Sequence, residues 1–408
     1  MSPLLSIIIP TKNRQYTAVF AVASVLDIES DDIEVVIQDC SDDNSLEDLL
    51  RLKFKDDPRI KYFFSDSEPS LTDNWNLAIG NASGKFICGI GDDDAVMPVC
   101  FEIAKWMAQN NVDAVLGALV VYIWKDAYLK SFSNGKISFS NDYSGDIFEV
   151  DIQKEFLKKA INCGFGYTDN LPNLYHGIVR KELLQKHKQA CGHYLSSTSF
   201  DVYNSFVLAA YTHNFYYIDI PITVRGVSGK SNTNRINLNK SEAHFKEFKN
   251  VEIPETLPYI LNAEVSIAES TIAALGDINR FDLIEQMNLA IVYSKIASSD
   301  LLNVSSHYRK YIIVNKGVYK ESSFFYYFFK FFRNNLKHKF LNFMLNGINK
   351  IIPSMNNLME KISSKRKVTA PDILKANQIL IDYLNNNNVV IKYKDEIKDL
   401  PERKMLWE

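Results

Sequence analysis

Four apolar runs, each closed by a polar loop, limit what the amino-terminal part of this chain can become. Leu4–Pro10 (LLSIIIP) is a continuous apolar run that ends at proline, as in a strand buried on both faces. Ile33–Ile37 (IEVVI) reads as a second buried strand; Arg59–Phe64 reads as a third strand and Lys85–Ile90 as a fourth. Between them, Gln15–Leu26 carries Ala18, Val22, Val25 and Leu26 at helical spacing, and Asp73–Ile79 also reads as a helix. Pro98 opens another helix, since the first turn tolerates the missing N–H of proline. Strands and helices in alternation, with strands apolar on both faces, imply an α/β layer on a mostly parallel sheet. Ligands of such sheets sit at the carboxyl ends of the strands. The polar loops after the first, second and fourth runs lie at that end.

The pattern stays mixed further on: Val120–Trp124, Tyr175–Val179 and Phe215–Ile220 read as strands, Asp151–Ile161 and Phe200–Tyr211 as helices. Then Glu264–Ala274, Asp282–Ala297 and Ile373–Leu384 have helical periodicity and strand signals are few. The expectation is an α/β domain over 1–250 and a mainly helical carboxy-terminal domain over 251–408, with no internal repeat.

Composition narrows the class. Lys and Arg number 46 against 49 Asp and Glu, a formal net charge of -3, which excludes a broadly cationic nucleic-acid binder. A hydrophobic content of 46% argues against wholesale disorder. Cys40, Cys88, Cys100, Cys163 and Cys191 are odd in number and form no CxxC pair, which fits free thiols in a reducing compartment better than disulfides or a cysteine zinc site. The start, Met1–Leu5, lacks a basic n-region, and its apolar run stops at Pro10. The longest uncharged apolar stretch, Ala114–Trp124, has 11 residues, where a spanning helix needs about 20. A cytoplasmic protein without a spanning segment is expected.

Three elements at the strand ends could carry chemistry. Asp92, Asp93 and Asp94 follow the fourth strand through Gly89-Ile90-Gly91. Adjacent carboxylates repel unless a cation or hydrogen-bond donors compensate them, and such oxygen ligands suit Mg²⁺ or Mn²⁺. The alternative is a solvated turn that caps the helix after Pro98. The loop Pro10-Thr11-Lys12-Asn13-Arg14 holds hydroxyl, amide and cationic groups where a doubly wound sheet binds a nucleotide, or it is an ordinary connection. Asp39, at the end of the second strand, can accept a hydrogen bond from a base or ribose, and capping of the next helix by Ser41–Asn44 is an equally simple use of its loop.

These elements in this order resemble glycosyltransferase family 2, inverting GT-A enzymes that use nucleotide sugars. The resemblance is carried by Ser6–Arg14, Glu34–Ser45, Asn74-Trp75-Asn76-Leu77-Ala78 and Ala82–Ile87 leading into Asp92-Asp93-Asp94. It implies a GT-A sheet, a nucleotide-sugar donor expected to be UDP-linked, and a Mn²⁺ or Mg²⁺ cofactor. By the same resemblance Thr11 and Asp39 meet the base and ribose, and Pro10, Asn13, Arg14 and Asn74 belong to the donor site. Asp92 and Asp93 fall near the ribose and diphosphate, and Asp94 with Asp92 at the metal. Cys40 departs from the family, which often has glycine there.

Inverting transfer needs one carboxylate beside the acceptor hydroxyl. Asp201, in Ser199-Phe200-Asp201, stands where family members carry their base; as an Asp at a helix start it could instead be an N-cap. His176 could line the acceptor pocket or be a satisfied half-buried histidine. Gly226–Asn232 resembles the end of a P-loop, but Val224 stands where the first glycine is required, so that reading fails. A polar loop carrying Lys230 toward a diphosphate is the better account, with Arg225 and Arg235 as alternatives and a plain surface loop as the simplest.

Residues 321–350 hold ten aromatics, five Lys or Arg and one Glu. That composition fits an interfacial helix at the inner face of the plasma membrane, a core helix, or a contact between like subunits. The leading reading is a transferase building a bacterial surface polysaccharide such as O-antigen or capsule, on a glycan or lipid-linked glycan acceptor. A nucleotidyltransferase and a non-catalytic glycan-binding protein of similar fold are the competitors. The first would usually show a glycine-rich basic loop, which Pro10–Arg14 lacks, and the intact acidic triplet counts against the second.

Overall fold

The structure, a computed structural model, describes residues 2–127, 134–167, 170–231, 253–258, 262–300, 322–334 and 365–393, with a few isolated positions beside them. The first part runs β1 (Leu5–Thr11), α1 (Gln15–Leu26), β2 (Ile33–Asp39), α2 (Ser45–Phe54), β3 (Ile60–Phe64), α3 (Leu71–Asn81), β4 (Phe86–Gly89), β5 (Ala95–Val96) and α4 (Val99–Gln109). It continues through β6 (Ala114–Gly117), β7 (Val121–Ile123), β8 (Lys136–Ser140), β9 (Ile147–Glu149), α5 (Ile152–Ile161), β10 (Gly177–Arg180), α6 (Lys181–Cys191), α7 (Phe200–Tyr211), β11 (Phe215–Ile218) and β12 (Thr223–Val227). Then come α8 (Ala263–Asp277), α9 (Phe281–Gln286), α10 (Ala290–Asp300), a helix α11 over 322–334, β13 (Lys365–Thr369), α12 (Ile373–Asn386) and β14 (Lys398–Asp399).

The main sheet has nine strands in the order β14-β9-β11-β6-β10-β4-β1-β2-β3. The pairs β1–β2, β1–β4 and β2–β3 are parallel, and β10 is inserted antiparallel between β4 and β6. Every residue of β1 and β2 is buried, and side chains on alternate sides explain why. Leu5, Ile7 and Ile9 join one core with Ala18, Val22 and Val25 of α1, while Ile8 and Val36 join another with Trp75, Ala78 and Ile79 of α3. Both faces are covered, so the runs are apolar throughout. β3, the expected third strand, closes the sheet edge, and Phe63 and Phe64 are partly exposed there.

A second sheet, β13-β8-β7-β12-β5, leans on the first. Its β12 pairs with β5, the two residues directly after the acidic triplet, in the register Thr223↔Val96 and Val224↔Ala95.

The described residues beyond 250 are largely helical, as expected, but they do not form a core of their own. Val265, Ala268, Ala274, Leu275, Val292 and Ile296 join the core of α3 and α7. Ala370, Ile373, Ala376, Leu380 and Leu384 join the core of α1 and β1. The boundary expected near 250 therefore marks a change of composition, not a separation of cores. Lys337, Lys339 and the rest of 337–350 lie outside the described residues. Among the described residues no helix is long and apolar enough to cross a membrane.

Candidate active site

Strands β2 and β4 flank β1 on opposite sides, and the chain order reverses there, so a crevice opens at their carboxyl ends. Thr11 is the last residue of β1, and its hydroxyl donates to Asp92 Oδ2 at 2.7 Å. Arg14 Nη1 donates to Asp92 Oδ1 at 2.9 Å and lies 3.9 Å from Asp93 Oδ1. Burial opposes the Arg14 charge, but Asp92 and Asp93 outweigh it and raise its pKa. Asn13, with φ 57, adopts the left-handed region that Asn tolerates. Its N–H donates to Ser41 Oγ at 2.7 Å and its Oδ1 accepts from the Asp42 N–H at 3.0 Å, which laces the first loop to the second.

Asp39 is wholly buried and fully engaged. Oδ1 accepts from the Ser41 N–H at 2.8 Å and hydroxyl at 2.5 Å, and Oδ2 from the Tyr62 hydroxyl at 2.8 Å. Ser41, which Asp39 holds, lines a cleft of ≈ 380 Å³ together with Asp42, Asn44, Phe64 and Asp66. Asn74 reaches from α3 to the carbonyls of Thr11 at 3.3 Å and Gln38 at 3.4 Å, so it ties two strand ends together from below. Pro10 is buried within β1.

The acidic turn is buried, not solvated, which removes the simple capping alternative for Asp92–Asp94. Asp94 accepts from the Gly91 N–H at 2.6 Å, the Gly226 N–H at 2.7 Å and the Tyr175 hydroxyl at 3.1 Å. Asp93 Oδ2 accepts from the Ser228 N–H at 2.9 Å, and its carbonyl from Trp124 Nε1–H at 2.9 Å. Burial pushes Asp92 and Asp94 up to about 6; it also raises Asp93, with the Asp94 charge adding to it. The close approach of β12 requires glycine: a Cβ on Gly226 would lie 1.7 Å from the Asp93 carbonyl oxygen.

Across the crevice, α7 starts at Phe200, and Asp201 stands in its first turn. The helix shows no side-chain cap bond at Ser199, and the Asp201 carboxylate accepts instead from the Tyr167 hydroxyl at 2.5 Å. Burial, then the Asp201 charge, raise Tyr167 well above the ordinary tyrosine range, so the phenol keeps its proton. The Arg225 guanidinium sits 5.5 Å from the Tyr175 ring centroid, within the fields of Asp94 and Asp201. Burial lowers its pKa, but Tyr175, Asp94, Tyr167 and Asp201 together raise it.

His176, at φ 66, bonds Thr223 Oγ1 through Nδ1 at 2.9 Å. Its Nε2 is buried and has no hydrogen-bond partner, with Asp94 Oδ2 at 3.4 Å. Burial, and secondarily Arg225, hold the ring neutral. Lys230 is exposed and donates to the Asn13 carbonyl at 2.9 Å, closing the β12 loop against the β1 loop. Arg235 lies outside the described residues.

Thr11, Arg14, Asp92, Asp93, Asp94 and His176 thus surround one turn, and Arg225 links that turn electrostatically to Asp201. Sequence reasoning missed Tyr167, Tyr175, Thr223 and Ser228, and weighed Arg225 only as an alternative. The glycine at 226, in a stretch already singled out, was the signal available for the β12 contact.

A buried acidic turn at the switch point of a mostly parallel sheet, faced by a helix-borne carboxylate, defines an α/β domain with its ligand crevice at the strand ends. Residues 6–167 match the model of glycosyl transferase family 2. The chain is 28% identical over 201 residues to the GalNAc(5)-diNAcBac-PP-undecaprenol beta-1,3-glucosyltransferase of Campylobacter jejuni, covering 46% of this chain and 63% of that protein. It is 34% identical over 152 residues to an uncharacterized glycosyltransferase, RC0461, of Rickettsia conorii, covering 36% of this chain and 24% of that one. Less than two thirds of either relative's length is therefore matched. Among solved structures, S. aureus TarS 1-349 in complex with UDP-GlcNAc aligns with a TM-score of 0.45 at 15% identity, over 82% of this chain and 92% of that chain.

Proposed function

We propose that this chain is a glycosyltransferase of glycan biosynthesis that moves a hexosyl- or hexosaminyl-type sugar from a nucleotide sugar, UDP-linked by the family resemblance, to an acceptor hydroxyl with inversion. The observation that carries the reading is the buried acidic turn, which Thr11, Arg14, Tyr175, Gly226 and Ser228 hold at the strand ends, with the Arg225 guanidinium over the Tyr175 ring that bonds Asp94. A donor diphosphate against the acidic turn and an acceptor hydroxyl at Asp201 would share that cation.

The chemistry follows from these groups. The acceptor oxygen attacks the anomeric carbon, the bond from that carbon to the diphosphate oxygen breaks, and the electron pair leaves with the nucleoside diphosphate. Asp201 takes the hydroxyl proton on the carboxylate oxygen that Tyr167 does not hold. Tyr167 fixes the orientation of that carboxylate, and Arg225 offsets charge that develops on the leaving group. Lys230, at the rim, is a second cation for the diphosphate.

A divalent metal fits the residues present. His176 Nε2 is buried and unpartnered, 3.4 Å from Asp94 Oδ2, which suits two neighbouring ligands of one ion at about 2.1 Å each. Asp94 and His176 would hold it, and an imidazole beside a carboxylate favours Mn²⁺ over Mg²⁺. Asp92 would serve differently from the family expectation, because the Arg14 guanidinium is already ion-paired with it at 2.9 Å. When bound, the ion would supply positive charge to the departing diphosphate.

The Campylobacter relative is named for a polyprenol-linked acceptor, which supports a lipid-linked glycan as the acceptor here. Phe325, Tyr326 and Phe329 of α11 are exposed beside Arg333, an aromatic and basic face suited to meeting a membrane surface. The decisive test is Asp201→Asn. Transfer, followed by nucleoside diphosphate release, should fall by about 10²–10⁴-fold while donor affinity holds. Wild-type turnover in the variant would remove Asp201 as the base, and the proposed mechanism with it.

A further inference from the structure

Outside the crevice, one cluster of metal-ligating side chains has no role in the reading above. Helix α6 carries His187, ends at Cys191, and turns through Gly192 (φ 86) into His193. Both imidazoles meet Tyr203 of α7 and Asp277, the last residue of α8. Tyr203 Oη lies 2.7 Å from His187 Nε2, 3.0 Å from His193 Nε2 and 2.5 Å from Asp277 Oδ2, while His193 Nε2 is 3.2 Å from Asp277 Oδ2. The ligating atoms of His187, His193 and Asp277 all fall within 4.8 Å of one another, and among the described residues no other His/Cys/Asp/Glu group of three does so.

We propose that His187 Nε2, His193 Nε2 and Asp277 Oδ2 form a structural zinc site, with the Tyr203 oxygen available as the fourth ligand. The donor set argues for the metal: two imidazoles and a single carboxylate suit zinc and not the oxygen-loving Mg²⁺ or Ca²⁺. Ligands about 2.0–2.1 Å from a tetrahedral ion stand about 3.3 Å apart. The His193–Asp277 edge of 3.2 Å already matches, the three edges to Tyr203 must widen by about 0.3–0.8 Å, and His187 Nε2, within 4.8 Å of the other two ligand atoms, must close on them by up to about 1.5 Å. The access is right as well. His187 is wholly buried and forms the back wall, whereas His193 and Asp277 are 34% and 35% exposed and leave an entry from solvent.

The ion would tie the α6–α7 turn and α7 to the end of α8. Asp201 stands on α7 two residues before Tyr203, so the site braces the helix that carries it. The placement does not depend on the transferase reading, and metal content can be read without any sugar substrate.

The test uses the full chain, stripped with EDTA and reconstituted with Zn²⁺ or Co²⁺ alone. Wild type should retain about one more zinc per chain after desalting than His193→Ala or Asp277→Asn, both at half-open positions. Co²⁺ should give the visible absorption of a tetrahedral site in wild type and in Asp94→Asn, but not in the two cluster variants. Zinc should raise the Tm of wild type by more than that of either cluster variant. Equal zinc content in wild type and both variants, including none in any, overturns the proposal and leaves a hydrogen-bonded network centred on Tyr203.

Discussion

Replacing Gly226 with Ala should undo the acidic turn, and the size of the effect can be worked out. The added Cβ would lie 1.7 Å from the Asp93 carbonyl oxygen, 2.6 Å from its carbon and 2.9 Å from Trp124 Nε1. Ordinary contact requires ~3.5 Å, so β12 must retreat by about 1–2 Å. That retreat breaks the Gly226 N–H bond to Asp94 and the Ser228 N–H bond to Asp93. Hydrogen bonds to charged groups are worth about 1.5–3 kcal/mol each, so losing two costs about 3–6 kcal/mol. At about 2–4 °C per kcal/mol, the Tm should fall by about 6–24 °C. Differential scanning calorimetry measures it, with donor affinity by titration calorimetry alongside. Gly276→Ala is the control: nothing lies within 4 Å of that Cβ, and the helix should gain up to about 1 kcal/mol. A Gly226→Ala protein that melts within ~2 °C of wild type and binds donor normally would refute the claim that β12 donors hold the turn.

Leu380→Ala, far along the chain from the crevice, should cost about 2–5 kcal/mol in urea unfolding and leave a single transition, because α12 packs into the core of β1; two transitions would contradict the shared core. Glu269 is buried and accepts from Thr198, and burial raises its pKa above the unfolded value. Its protonated form is therefore favoured by folding, and the stability it contributes is lost as pH rises through the raised pKa. The Tm of Glu269→Gln relative to wild type should accordingly climb from acid toward neutral pH; a constant gap would exclude that titration. Phe325→Ser with Phe329→Ser should release the protein from anionic liposomes in a flotation assay, and unchanged flotation would detach α11 from membrane binding.

The strands were legible because burial on two faces leaves a mark that one residue cannot hide: β1 and β2 are apolar throughout since α1 and α3 cover opposite sides. β3 was legible as a strand but not as the sheet edge, because its apolar residues look alike whether a neighbouring strand follows or the sheet ends. The three aspartates were legible as a site, but their partners were not. The donors to Asp94 come from Tyr175 and Gly226, far along the chain, and a backbone N–H leaves no signature in a sequence. Asp201 fitted a helix cap equally well, and only the Tyr167 contact separates the two uses. The apolar stripe of α12 announces a buried face without naming the surface it will cover, which is why a second domain was expected.

That last point bears on how the crevice is held. Three adjacent carboxylates with raised pKa values disfavour their own burial, so the turn persists only while the rest of the fold supplies its donors. Ala95 and Val96, just beyond it, belong to the core that α12 completes, and Asn377 of α12 donates to the Val96 carbonyl at 2.9 Å. The opposite wall is anchored elsewhere: Val202 and Tyr203, next to Asp201, belong to the core that α8 completes. Each wall of the crevice is thus backed by a different segment of the carboxy-terminal region. The distance between the acidic turn and Asp201 is set by how two cores meet across one sheet. A helical region without the family's motifs accordingly forms part of the machinery that positions them.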